Sequence, residues 1–271
     1  MRRPPRSQLG VAKLSGEALQ AIPMEKPIAA THGPFRPVLD GRIFTRHPFD
    51  PDAPPLSAGI PFMAGNVATE TRIMIASRGP GHFVVGHGRG TAQAGRYLRI
   101  DATETYRILD AYRTADPRAS PGDPLALVTT DYNFVRNTRR EATLQSASAP
   151  TYSYIFTRRR PVMNGLLRAP HESQVAFVFG TTDAAAHIVG TGADIVPLTQ
   201  IMLSTWSAFA RNGNSNNPTL PRWLRHNAKD EFSMMLNVSS RIERDPGGQA
   251  RASLDHLPFF EYNMPNDYTR A

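Results

Sequence analysis

Apolar positions in this chain gather into short runs and one-sided stripes, separated by long stretches marked by proline and glycine. Over residues 1–34 only Leu14 to Ile22 spaces its apolar side chains like a short helix. The remainder there is proline and charge, so a poorly anchored lead-in is expected. Residues 35–65 carry turn chemistry in Phe35-Arg-Pro-Val-Leu-Asp-Gly41 and Asp50-Pro-Asp-Ala-Pro-Pro55, because proline presets φ while Asp-Gly favours a tight reversal. Ile60-Pro-Phe-Met-Ala64 then predicts a buried strand that stops at Gly65-Asn66. Thr69 and Glu70 fall in the turn beyond it, and Ile73-Met-Ile75 predicts the start of a helix.

Six glycines between Gly79 and Gly95 predict a mobile surface loop. Gly86-His-Gly-Arg-Gly90 has neither the Gly-x-Gly-x-x-Gly of a dinucleotide loop nor the Lys-Ser/Thr that ends a nucleotide loop. Asp101-Ala-Thr-Glu104 is a capping-box pattern opening a helix with Ile108, Leu109 and Tyr112 on one face. A second helix is expected from near Asp123 to Ala142, carrying Leu127, Val128, Phe134 and Val135. Thr151 to Thr157 alternates aromatic and β-branched residues and reads as a strand. Leu198, Met202, Trp206 and Phe209 align on a helix from about Ile195 to Arg211, stopped by Asn212-Gly213. A last strand is expected from Phe232 to Val238. No internal repeat is present, and strands interleaved with helices point to an α/β layer fold.

Composition narrows the function classes. The 271 residues, 40% of them hydrophobic, suffice for one large domain or two small ones. No run approaches the roughly 18 apolar residues of a membrane span. Met-Arg-Arg-Pro-Pro-Arg is not followed by an apolar signal core, so the chain as it stands reads as soluble and cytoplasmic. The absence of cysteine excludes disulfides, thiolate metal sites and a cysteine nucleophile. A net charge of +8 invites a search for an anionic partner. The bases, however, are scattered arginines; Lys13, Lys26 and Lys229 are the only lysines. The longest run, Arg158 to Arg160, has no interleaved aromatics, so nucleic acid is not expected as a partner. His82, His87 and His187 lack metal-ligand spacing, and neither metal nor cofactor is expected.

Two polar residues stand where α/β sheets place their sites. Glu70 follows a strand end, and His171 sits on a loop braced by Pro170 beyond the 151–157 strand, directly before Val175 to Phe179. A histidine base needs one ring nitrogen facing a nucleophile and the other donating to a carboxylate, and Glu70 and His171 fit these two jobs. Bland readings stand beside this one: Glu70 as an acid at a helix N-terminus, His171 as a structural histidine, Asp40 as a turn former, Trp206 and Phe209 as core. No serine lies in a Gly-x-Ser-x-Gly elbow; Ser57, Ser77 and Ser120 all lack its first glycine.

Six motifs in order carry a resemblance: Phe35-x-Pro-Val-x-Asp-Gly41, Pro61-Phe-Met-Ala-Gly-Asn66 with Glu70 after it, Asp131-Tyr-Asn-Phe134, Tyr152-x-Tyr-x-Phe156, His171 before Phe177-Val-Phe-Gly180, and Trp206-Ser-Ala-Phe-Ala-Arg-Asn-Gly213. From about residue 14 to about 240 the chain resembles the C-terminal half of the type-B carboxylesterases, which include para-nitrobenzyl esterases and cholinesterases. The resemblance implies the C-terminal portion of an α/β-hydrolase fold over residues 35–271, with an incomplete central sheet and flanking helices. It also implies a Ser-His-Glu triad in which Glu70 is the acid and His171 the base. The family's serine elbow and oxyanion-hole segment have no counterpart in these residues, so the chain is expected to be an inactive fragment of a carboxylic ester hydrolase. Its expected partners are an ester substrate in the complete enzyme and the missing N-terminal half, and a truncated reading frame is one origin for such a chain. Thr71 replaces a glycine common in the family, and Gln174 stands where an acid is frequent. Two other readings remain open: a non-catalytic interaction module derived from the esterase fold, and an arginine-rich polyanion binder.

Overall fold

The computed structural model describes residues 15–30, 37, 39–77 and 87–260, which fall into two units divided between His47 and Pro48. The first unit holds two short helices, α1 (Gly16–Gln20) and α2 (Glu25–Ala30). Helix α1 lies inside the stretch expected to be helical and starts where Ser15 Oγ accepts the Ala18 N–H at 3.1 Å. Asp40 is a turn former, since Oδ1 accepts the backbone N–H groups of Arg42, Ile43 and Phe44. Those bonds hold its carboxyl below the usual range.

The second unit is built on a four-stranded sheet. Strand β1 (Phe62–Val67) is followed by α3 (Arg72–Ala76), α4 (His87–Leu98), α5 (Ala102–Ala115), α6 (Asp123–Thr130) and α7 (Arg136–Ser146). Helices α6 and α7 join through a π turn, Asp131–Val135. Then come β2 (Thr151–Phe156), α8 (Val175–Val178), α9 (Ala186–Val189), α10 (Ile195–Asn212), β3 (Phe232–Leu236), β4 (Arg241–Arg244) and α11 (Gly248–Arg251). The strand order is β1-β2-β3-β4; the first three are parallel and β4 is antiparallel to β3.

Register explains the core. Met63, Gly65 and Val67 stand beside Tyr152, Tyr154 and Phe156, and Met234 and Leu236 continue that row. The period of two puts all of them on one face, which packs on Phe177, Leu198, Met202 and Trp223. A second core lies among the helices, where Ile108, Leu109 and Tyr112 of α5 meet Leu98, Leu125, Val128 and Leu254. Asp101 caps α5 as its sequence predicts, accepting the Glu104 N–H at 2.8 Å, and α10 ends at Gly213 in the left-handed region.

Three expectations are corrected. Strand β1 starts at Phe62 and runs through Gly65-Asn66 to Val67, because it pairs with β2 along its whole length; a Cβ on Gly65 would lie 2.4 Å from the Tyr154 ring, so the glycine admits the tyrosine rather than ending the strand. Residues 87–98 form helix α4 instead of a loop. Ala94 and Leu98 reach the helical core, and Gly95 allows Thr105 to approach so closely that a Cβ would stand 2.7 Å from its Oγ1. Gly79, Gly81, Gly86 and His82 lie outside the described residues, as do Leu14 and Phe35. The helix expected from Asp123 to Ala142 extends to Ser146 and contains the π turn, and β4, whose residues are Arg-Ile-Glu-Arg, was not anticipated.

Candidate active site

Beyond β1 the chain turns through Ala68, Thr69 and Glu70 into α3, and beyond β2 a longer loop runs from Thr157 to Gln174. The two are stitched together by backbone groups and the Thr69 hydroxyl. Thr69 N–H donates to the Ala169 carbonyl at 3.1 Å, Thr69 Oγ1 donates to the same carbonyl at 2.9 Å, and Ala169 N–H returns a bond to Thr69 Oγ1 at 3.1 Å. His171 N–H then donates to the Glu70 carbonyl at 3.2 Å. These bonds fix the two loops in register independently of the Glu70 and His171 side chains.

Upon this frame the side chains of Glu70 and His171 meet across 101 positions, with Oε2 and Nδ1 2.5 Å apart. A carboxylate only accepts, so Nδ1 carries the proton and Nε2 is the free base nitrogen of the neutral ring. Glu70 is buried, and its other oxygen accepts the Val67 N–H at 2.8 Å, which folds the carboxylate back onto the end of β1. That geometry answers the dipole reading: the carboxylate faces Val67 and His171, and no acid lies in the first turn of α3. His171 keeps 39% of its side chain exposed, with Nε2 4.0 Å from the outward-facing Glu172 carboxylate. The bond from Glu70 raises the imidazole pKa above the ordinary histidine value against the opposing effect of burial, and the charges of Glu70 and Glu172 add to it.

The loop that presents His171 is held at an energetic cost. Arg168 and Glu172 both take positive φ, of 52° and 63°, a region that costs a non-glycine residue about 1 kcal/mol or more. Arg168 is fastened by its guanidinium, which donates from Nε to Asp123 Oδ1 at 2.8 Å and pairs through its other arm with Oδ2. Asp123 also pairs with the buried Arg72. Burial would raise its carboxyl, but the bonds from Ser120 and the two guanidinium charges hold it below the usual range. Phe134, from the π turn, packs its ring 5.4 Å from the imidazole of His171. Tyr154 lies close enough to Glu70 to feel its charge; burial and that charge push its phenol up to about 12.

Sequence reasoning named Glu70 and His171 and missed the residues that hold them. Thr69, Ala169, Arg168 and Asp123 carry no pattern of their own; only Phe134 gave a signal, inside Asp131-Tyr-Asn-Phe134. Thr71 is accommodated by hydroxyl bonding. Its Oγ1 donates to the Ala126 carbonyl at 3.0 Å and lies 2.7 Å from Thr129 Oγ1, with φ in the ordinary helical region. No described serine hydroxyl hydrogen bonds to His171. Ser57 Oγ reaches Pro54 and Gln145, and Ser77 Oγ turns back to the Met74 carbonyl.

A parallel sheet whose first two strand ends bring a carboxylate and a histidine together is the setting in which comparison with known proteins becomes informative. The family model described as "Carboxylesterase family" matches residues 2–252. The chain belongs to the carboxylesterase family. Human carboxylesterase 5A is 26% identical over 231 residues, covering 76% of this chain and 38% of that protein. Rabbit cocaine esterase is 32% identical over 146 residues, covering half of this chain and a quarter of its own length. Among solved structures, a Geobacillus stearothermophilus carboxylesterase superposes with a TM-score of 0.72 at 26% identity, covering 91% of this chain and 52% of that one. A PNB esterase at 21% identity and a TM-score of 0.66 shares the fold. The chain therefore spans about half the length of the solved carboxylesterases it matches, and its four strands are a partial α/β-hydrolase sheet.

Proposed function

We propose that this carboxylesterase-family chain carries the acid and base of a serine-dependent carboxylic ester hydrolase, and that the nucleophile is supplied from outside these 271 residues. The observation that carries the reading is the 2.5 Å contact between His171 Nδ1 and Glu70 Oε2, with Glu70 held by the Val67 N–H. In this scheme His171 Nε2 removes the proton of a serine hydroxyl as that oxygen attacks the ester carbonyl, and the imidazolium is stabilised by Glu70. Nε2 next protonates the departing alkoxide, leaving an acyl-serine. Nε2 then takes a proton from water, which attacks the acyl group, and returns it to the serine oxygen as the carboxylic acid leaves. Glu70 fixes the tautomer throughout and is not itself protonated.

The isolated chain is predicted to hydrolyse p-nitrophenyl acetate no faster than a histidine-containing control protein. Loss of the nucleophile costs about a million-fold in turnover in a well-studied serine hydrolase, and the paired acid and base do not restore it. The residual rate is expected to be the same in His171→Ala. A stoichiometric burst, together with labelling of one serine by a phosphonate probe, would contradict this by revealing a nucleophile within the chain.

A non-catalytic interaction module is the second reading, and one observation favours it: among the described residues β1 lies at an edge of the sheet, with its outer backbone groups facing no other strand. The two readings separate on whether a nucleophile-bearing segment restores hydrolysis.

A further inference from the structure

We propose that Glu172 sets the charge selectivity of the site, disfavouring esters whose alcohol portion is anionic relative to neutral or cationic ones. The inference rests on the proposed role of His171 as the base. Glu172 follows His171 directly and takes a φ of 63°, in the left-handed region that favours glycine. Its Oε1 stands 4.0 Å from Nε2, the nitrogen assigned to the serine and the substrate, whereas Glu70 engages the other ring nitrogen. With 78% of its side chain exposed, the Glu172 carboxylate pairs with no other residue among those described.

What singles out this carboxylate is its place beside the reacting atoms. Nε2 hands its proton to the departing alkoxide, so the alcohol oxygen of the ester must come within about 3 Å of Nε2. That oxygen then lies at most about 7 Å from the Glu172 carboxylate, inside the Debye length of about 8 Å at physiological ionic strength. A negative charge on the alcohol portion is repelled over that span, and discrimination by repulsion needs no matching contact. No cation of the loop cancels the charge. Arg158, Arg160 and Arg168 are turned to Asp194, the Ile188 carbonyl and Asp123. Arg159 lines a separate cavity with Asp116 and Asp123. Phe134, packed on the imidazole from the π turn, brings no charge. Glu70 has the same sign as Glu172, but it is buried and bonded to the Val67 N–H and to Nδ1, away from the substrate nitrogen. The Glu172 charge already reaches the ring, where it joins Glu70 in raising the imidazole pKa.

Alkylation of His171 Nε2 in the full chain by anionic bromoacetate and by neutral bromoacetamide tests the proposal without requiring hydrolysis. In each case Nε2 displaces bromide from the methylene carbon, and the modified peptide is followed by mass spectrometry. Both reagents need the same neutral imidazole, so their rate ratio is insensitive to its protonation. Relative to the ratio measured on N-acetylhistidine, the preference for the amide is expected to be about threefold or more greater. That excess is expected to disappear in Glu172→Gln, to reverse in Glu172→Lys, and to shrink in about 1 M NaCl. Failure of both reagents to modify Nε2 would overturn the role of His171 as an accessible base, and this assignment with it. Modification at a ratio that neither Glu172→Gln nor Glu172→Lys alters would overturn the charge selectivity alone.

Discussion

Glu70 spends its two oxygens on two different tasks, and the division explains why a glutamate at this position can orient a histidine. Oε1 is anchored by the Val67 N–H, so Oε2 is presented to His171 without freedom to turn away. The contact has a measurable consequence in either protonation state. Because the bond from Glu70 raises the His171 pKa, titration of its imidazole by NMR is expected to give a midpoint above the ordinary histidine value, and that midpoint is expected to fall in Glu70→Gln. A midpoint unchanged by Glu70→Gln would mean that the pair does not interact in solution. The sign for stability follows: a folded-state pKa above the unfolded one stabilises the protein most fully below the unfolded value, and that contribution fades as pH rises through the folded one. His226 acts in the opposite sense. Burial lowers its pKa against the upward pull of the Phe232 backbone and Asp245, so stability is lost as pH falls below the unfolded histidine value.

At the scale of elements, the site depends on β1 and β2 lying close enough for the loops beyond them to be stitched. Gly65 is the point of closest approach, because Tyr154 occupies the space where a Cβ would stand, 2.4 Å from both ring and backbone atoms. Gly65→Ala is therefore expected to destabilise the chain by about 1–3 kcal/mol, the usual cost of overpacking, measured as a lowered midpoint in urea. An unchanged midpoint would show that β1 and β2 separate at little cost. Elements of this kind were legible wherever burial left a period in the sequence: the aromatic alternation of Tyr152, Tyr154 and Phe156 gave β2, and the stripe from Leu198 to Phe209 gave α10. Legibility failed where small or charged residues did the same work. Helix α4 buries Ala94 and Leu98 behind a run of glycines that reads as loop, and β4 pairs with β3 while offering the core a single apolar side chain, Ile242, between charged neighbours. The pair Glu70 and His171 was found through position and motif. Its bracing through Thr69, Ala169 and Arg168 was not, since those contacts join residues about 100 positions or 45 positions apart and leave no local pattern.

On the scale of the whole molecule, the described residues hold three parallel strands and one antiparallel strand, and the solved relatives are about twice as long as this chain. Among the described residues β1 is an edge, and a parallel strand with an open edge pairs readily with other chains. The isolated chain is expected to self-associate, with a sedimentation coefficient that rises with concentration; a monodisperse monomer across the same range would show that the edge is covered. Under the proposed function, a nucleophile-bearing segment is expected to dock along this same edge. The most direct measurement is p-nitrophenyl acetate hydrolysis by the chain co-expressed with a carboxylesterase segment that bears a Gly-x-Ser-x-Gly elbow. The account predicts hydrolysis in the complex and in neither part alone, reduced about a thousand-fold or more in His171→Ala and substantially in Glu70→Gln. Hydrolysis that is unaffected by either substitution, or a stable complex that stays inactive, would contradict it.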